Sequence, residues 1–297
     1  MSQPATLATS GLAWAGSRTA DYLELAKPRV VSMVLVATAA GFYLGEIHSF
    51  DYLLALQLMI GTALAAGGTL ALNEYFERDL DVKMARTRMR PLPDRRLTPA
   101  QALIFGVVTM VAGLAYLWLA VDALATLVTA AIAVLYLGAY TPLKRVSAIC
   151  TVVGAIPGAM PPLAGWAAAR GTLSVEPLVL FAIMYLWQLP HTLAIAELYR
   201  NDYARAGIRL LSIDDPRATG RQVVSNSLAL LAVGMLPTIL GFAGLTYFLV
   251  AIVAGTIMLG YGVRLAAAPG RAAARRLLMA SLIYLPVVLL VMVLDKI

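Results

Sequence analysis

The sequence predicts an all-α, polytopic membrane protein, a bundle of nine transmembrane helices with a cytoplasmic N-terminus and an outside C-terminus. Three observations predict it. The chain of 297 residues is 61% hydrophobic and only 13% charged, with a mean hydropathy of +0.81, far from the balance of a water-soluble domain. Its apolar runs are about 16 to 22 residues long, the length a helix needs to cross the hydrocarbon and too long for barrel strands. Its charges alternate from link to link in a way that admits one threading.

Residues 1–26 lack the basic start, short apolar core and small-residue cleavage site of a secretory signal, and are read as a retained cytoplasmic tail. Residues 27–297 are expected to form a single transmembrane domain. Apolar runs and their breakers place the spans near 30–47, 52–78, 100–119, 123–141, 148–168, 176–197, 223–242, 245–266 and 273–294. In the fifth, "GAIPGAMPP" reads as close helix packing with a proline kink that opens space. Trp14, Trp118, Trp166 and Trp187 are read as lipid-facing, core or interface residues. Cys150 is the sole cysteine, so no disulfide framework or cysteine metal site can form.

All but Arg170 and Lys296 of the 23 lysines and arginines fall in the tail or in the links after the second, fourth, sixth and eighth spans. The positive-inside rule makes that side cytoplasmic and requires an odd number of spans. Topology and attraction to anionic lipid suffice to explain Arg264, Arg271, Arg275 and Arg276. They do not explain why 11 of the 16 acids lie on the same side, because carboxylates gain nothing from an anionic leaflet.

The acids form two constellations. Residues 71–93 read "ALNEYFERDLDVKMARTRMRPLP". Asn73, Glu77 and Asp81, spaced i, i+4, i+8, fall within an arc of roughly 80° and rise ~12 Å, one polar stripe down the inner end of the second span. Two carboxylates and an amide oxygen suit a hard divalent cation such as Mg²⁺ bridging to a phosphate. Glu74 and Asp79 point elsewhere on that helix and are read as solvated or ion-paired. A helix-end salt-bridge network with Arg78 and Lys83 would also account for the acids, but not for the deeper Asn73, and a polar residue within the membrane is by default a site. The sixth span ends alike, with Glu197, Arg200, Asn201, Asp202 and Arg205. Two facing acidic patches are what two Mg²⁺ ions on one diphosphate need, with Arg86, Arg90, Lys144 and Arg145 completing the positive charge. A long hydrocarbon tail explains why such chemistry sits at a membrane: burying 15 carbons gains at most ~12 kcal/mol. The two histidines, His48 and His191, fall on opposite sides, which excludes a Ser-His-Asp hydrolase.

These stretches, together with "LAKPRVVSM" at 25–33, "YTPLKR" at 140–145, "GAIPGAMPPLAGW" at 154–166, "WQLPHTLA" at 187–194 and "DYARAGI" at 202–208, resemble the UbiA family of intramembrane prenyltransferases. The resemblance runs from Tyr22 onward. The Asn-x₃-Glu-x₃-Asp form and the MxRTxxRPLP tail resemble its heme-modifying branch, since relatives acting on aromatic acids usually carry Asp in place of Glu77. Thr192, Cys150 and "IRLLSID" at 208–214 depart from the pattern, where Phe, Asn and a Pro-Met-Leu-Pro run are usual. The resemblance implies a UbiA-like bundle that transfers a farnesyl group from farnesyl diphosphate to a vinyl carbon of heme B, with addition of water, giving heme O. It implies Mg²⁺, with Mn²⁺ as a substitute, on Asn73, Glu77, Asp81 and Asp202. Lys83, Arg86, Arg90, Lys144 and Arg145 would lie on the diphosphate, and His191 and Tyr203 at the heme. It further implies a multi-pass protein of the inner cell membrane, its site facing the cytoplasm, with heme A synthase or oxidase assembly factors as partners and no nucleic acid. Two other readings stay open on the residues: a prenyltransferase acting on an aromatic acid or quinone precursor, and a transporter with acidic gates. A transporter would place charged or broken helices at mid-membrane in both halves.

Overall fold

A computed structural model describes residues 18–47, 49–208 and 216–297. Trp14, His48 and residues 209–214, which carried sequence expectations, lie outside the described residues. Among those described, nine helices are long and apolar enough to span a membrane. They are α1 (Pro28–Gly45), α2 (Tyr52–Asp81), α3 (Pro99–Ala120), α4 (Ala123–Leu143), α5 (Cys150–Arg170), α6 (Val175–Leu198), α7 (Arg217–Ile239), α8 (Leu245–Ala267) and α9 (Arg271–Leu294). Hydrophobic faces of α1, α5, α6, α7, α8 and α9 share one core through Ala37, Leu44, Trp166, Leu180, Val223, Tyr247 and Val288. The side on which α2 ends is called inner below.

Local chemistry sets the helix ends. Asp51 accepts from the Leu54 N–H at 2.9 Å, and Thr98 and Gln101 form a capping box before α3. At residue 165 only a glycine fits: a Cβ there would stand 1.9 Å from the Thr38 carbonyl oxygen. That close approach binds the outer half of α5 to α1, as small residues do within membranes.

Two irregularities shape the inner side. Between Leu135 and Tyr140, α4 widens into a π-helical turn. Pro142 stands two residues beyond it, and its ring, lacking an N–H, cannot close an ordinary turn onto the carbonyl four residues back. The widened turn brings the rings of Tyr136 and Tyr140 to 5.1 Å. In α5 the break comes at Met160, between Pro157 and the pair Pro161 and Pro162, where the sequence predicts a kink.

Candidate active site

Helical rotation puts Asn73, Glu77 and Asp81 on one side of α2, and all three are buried. Each finds a partner beyond its own helix, two of them far along the chain. Lys144, just beyond α4, donates to both oxygens of Glu77 at 3.0 and 3.1 Å. Arg90, from the link after α2, donates to Asp81 Oδ2 at 2.8 Å. Asn73 donates its amide N–H to Thr141 Oγ1 at 3.2 Å, and Thr141 donates in turn to the Tyr136 carbonyl at 2.8 Å. The π-helical turn thus helps to position the stripe.

Two residues join the cluster that the sequence reading placed elsewhere. Glu74, expected to be solvated or ion-paired, is ion-paired: it is buried and lies 3.4 Å from Lys27 and 3.5 Å from Arg90. The signal was available: Glu74 stands three residues before Glu77 and seven before Asp81, the other spacing that repeats on one helical face. Lys27 stands at the junction of the tail and the first span and is not among the expected site residues. Its backbone takes the left-handed conformation with φ of 52°, costly for a residue with a Cβ. Its ammonium reaches Glu74 and lies 3.5 Å from Asn73 Oδ1.

Charge is therefore balanced inside a desolvated pocket. Burial opposes the charge on Lys144, but the adjoining Glu77 carboxylate outweighs it and raises the lysine above its ordinary range. Arg90 is likewise raised against its burial by Asp81 and Glu74. For Lys27 burial wins over Glu74, and its ammonium is held below the ordinary lysine value.

Other sequence candidates are arranged less centrally. Lys83 is exposed. Arg145, one residue past Lys144 and so turned by roughly 100°, is exposed and donates to the Phe76 carbonyl at 2.7 Å. Arg86 donates to the Tyr203 hydroxyl at 2.6 Å and lies over the Tyr199 and Tyr203 rings. This contact, with Met84, Cys150, Ala196 and Ile208 packed beneath it, joins the inner ends of α2 and α6 through the segments just beyond them. Asp202, on the short helix Arg200–Arg205, is ion-paired with Arg205 and makes no bond to the α2 stripe. Glu197 pairs with Arg200 at 3.5 Å.

Beside Lys144 lies a cavity of about 130 Å³, lined by Tyr136, Tyr140, Thr151, Gln188, Thr192 and Tyr203 among others. Small-molecule sites usually measure roughly 300–1,000 Å³, so this form is closed and a substrate must widen it. His191 does not line the cavity. It lies against α9, its Nδ1 2.8 Å from Ser281 Oγ, and stacks on Trp187 at 4.9 Å. Ser281 spends its one hydroxyl proton on the Leu278 carbonyl at 2.7 Å. With the serine proton on Leu278, Nδ1 donates to the serine oxygen and Nε2 keeps its lone pair.

Among the described residues no three acidic, histidine or cysteine side chains stand together as a ready metal cage, because the carboxylates are turned to the cations. Two oxygens nevertheless remain without partners although buried, Asp81 Oδ1 and Glu74 Oε2. Orphaned carboxylate oxygens are costly, and hard oxygen donors of this kind fit Mg²⁺.

A nine-helix bundle with buried acids and cations at one end defines a class, and comparison with known proteins gives it a family. The chain belongs to the UbiA prenyltransferase family, whose model matches residues 34–285, and it is thus a multi-pass membrane prenyltransferase. Over 287 residues it is 45% identical to the protoheme IX farnesyltransferase of Solibacter usitatus (strain Ellin6076), covering 93% of this chain and 98% of the relative. Over 308 residues it is 39% identical to the protein of the same name from Koribacter versatilis (strain Ellin345), covering 100% and 98%. A solved digeranylgeranylglyceryl phosphate synthase superposes with a TM-score of 0.80 at 16% identity, over 94% of this chain and 98% of that one. A UbiA homolog from Archaeoglobus fulgidus bound to GPP and Mg²⁺ superposes at 0.63 with 12% identity, over 92% and 99%. At those identities the likeness is one of fold.

Proposed function

We propose that the protein transfers the farnesyl group of farnesyl diphosphate to a vinyl carbon of heme B, giving heme O, at the inner end of α2 and on the cytoplasmic face of the inner membrane. The observation that carries the reading is the buried Asn73, Glu74, Glu77 and Asp81 cluster, matched by Lys27, Arg90 and Lys144 beside an aromatic cavity. The relatives' shared name supports the choice of acceptor.

Asn73, Glu77 and Asp81, with Glu74 and Asp202, would hold Mg²⁺, for which Mn²⁺ is a substitute. When bound, the metal neutralises the leaving diphosphate. The chain supplies the rest. Lys144 uses two of its three donors on Glu77 and keeps one for a diphosphate oxygen. Arg90, Lys27 and Arg86 bring fixed positive charge to the same place, so departure of the diphosphate needs no reorganisation. The farnesyl C1–O bond breaks, and C1 bonds to the terminal vinyl carbon of heme B. Water adds to the adjacent carbon and gives up a proton, leaving a hydroxyethylfarnesyl side chain and diphosphate. The faces of Tyr136 and Tyr140 favour the allylic cation, and the surrounding bundle keeps water from quenching it early. His191, held with a bare Nε2, serves as the ligand or orienting group for the heme iron, and Tyr203 contacts the macrocycle.

Membranes carrying the protein, incubated with farnesyl diphosphate and either heme B or 4-hydroxybenzoate, test the reading. A mass gain of one farnesyl plus water is expected on heme alone. A product from 4-hydroxybenzoate, with heme unchanged, would overturn it.

A further inference from the structure

A large cavity lies away from the acid cluster. It is an open groove of about 1030 Å³ between α8 and α9, floored by Leu249, Val253 and Ile257 on one side and Met279, Ile283 and Val287 on the other. These side chains are substantially exposed, Val253 by 59% and Ile283 by 61%. Among the described residues nothing else closes over them.

Three arginines stand at the inner mouth, Arg271, Arg275 and Arg276. All are exposed, and none has an ion-pair or hydrogen-bond partner among the described residues. From Tyr203 to Leu294 the sequence has only Asp214 and Asp215 as acids, so the chain offers little to neutralise them. They also occupy the first turns of α9, where the helix dipole disfavours cations. Topology asks for positive charge on this side, but not for three arginines on one mouth against the dipole.

The depth of the groove narrows the ligand. From Arg275 to Val287 it runs twelve residues along α9, about 18 Å at ~1.5 Å per residue. That is close to half of a hydrocarbon core of ~30 Å. A slot one leaflet deep, apolar along its length and cationic at its headgroup end, complements a single class of molecule. We infer that the α8–α9 groove binds an anionic diacyl phospholipid from the leaflet on the side of the acid cluster, its phosphate on Arg271, Arg275 and Arg276 and an acyl chain along Val253, Ile257 and Ile283. The site is independent of the reaction proposed above.

The full chain in nanodiscs of equal phosphatidylglycerol and phosphatidylcholine, released for native mass spectrometry, tests this. One retained lipid is expected, with phosphatidylglycerol favoured by roughly 100-fold. Each arginine contributes roughly fivefold at the surface, so Arg275→Gln and Arg276→Gln should each cut the preference by about that factor. Ile283→Trp, which fills the groove, should abolish retention of either lipid. Equal retention of the two lipids by the unaltered protein would overturn the inference, as would retention undiminished by Ile283→Trp. Displacement of the lipid by a farnesyl thiodiphosphate would overturn it too, since the groove would then be a store for prenyl diphosphate.

Discussion

Replacing Lys144 by Met should separate what the buried pair does for the fold from what it does for the chemistry. Lys144 and Glu77 are 11% and 5% exposed at their side chains and meet at 3.0 Å. At that distance their attraction is ~5 kcal/mol for an effective dielectric of about 20, most of it offset by the loss of hydration. Removing the lysine alone strands a buried carboxylate, which costs about 3–5 kcal/mol. For a chain of this size that is a fall of roughly 6–10 °C in the thermal midpoint. Removing both charges, in Lys144→Met with Glu77→Gln, should recover stability to within ~1 kcal/mol, since no charge is left unpaired. Turnover should not recover, because a lost transition-state contact costs about 10²–10³ in rate. The assays are thermal unfolding of the detergent-solubilised protein and mass detection of farnesylated heme. A single variant as stable as the double would refute the assignment of Lys144 to a desolvated pair.

Three other outcomes follow from the same geometry. The Lys27 ammonium is held below 10.5 by burial while Lys144 is raised, so as pH rises Lys27 loses its proton first and sets the alkaline limb of kcat/KM. Lys27→Arg should move that limb to higher pH, and an unmoved limb would exclude Lys27 from the reaction. Ser281→Ala removes the acceptor that holds His191 and should weaken heme B binding by roughly 10–100-fold in an absorption titration, with Ser281→Thr restoring it; equal affinity in the alanine variant would remove the heme role. Gly165→Ala forces α1 and α5 apart at an immovable carbonyl, and should lower stability by about 1–3 kcal/mol, read as a drop in thermal midpoint without any change in the pH profile.

The spans were legible because the bilayer imposes a length on every apolar run, and expected boundaries fall close to those observed. The seventh span differs most, beginning at Arg217 rather than 223, but the second is the more informative. Its helix continues to Asp81, past the expected end at 78, because its last carboxylates are buried and paired and so do not force the chain into water. The stripe of Asn73, Glu77 and Asp81 was legible from local spacing. Glu74 was legible in principle from its i+3 and i+7 partners. Lys27 was not: its approach to Asn73 spans 46 residues and depends on a left-handed backbone that no apolar pattern announces. Nor was the fine partition among the cations. Arg86, Arg90, Lys144 and Arg145 look equivalent in sequence, yet rotation about their helices and links sends Arg90 and Lys144 to carboxylates, Arg86 to tyrosines and Arg145 to a backbone carbonyl.

The central claim is that these cations and the α2 acids hold the diphosphate of the prenyl donor. A structure of the protein with Mg²⁺ and a non-reactive farnesyl diphosphate analogue tests it most directly. The diphosphate is expected among Lys27, Arg90 and Lys144, with Mg²⁺ about 2.1 Å from a carboxylate oxygen of Asp81 or Glu77. Diphosphate density elsewhere, for instance against Arg271 and Arg275, with the α2 carboxylates still bound only to their own cations, would contradict it.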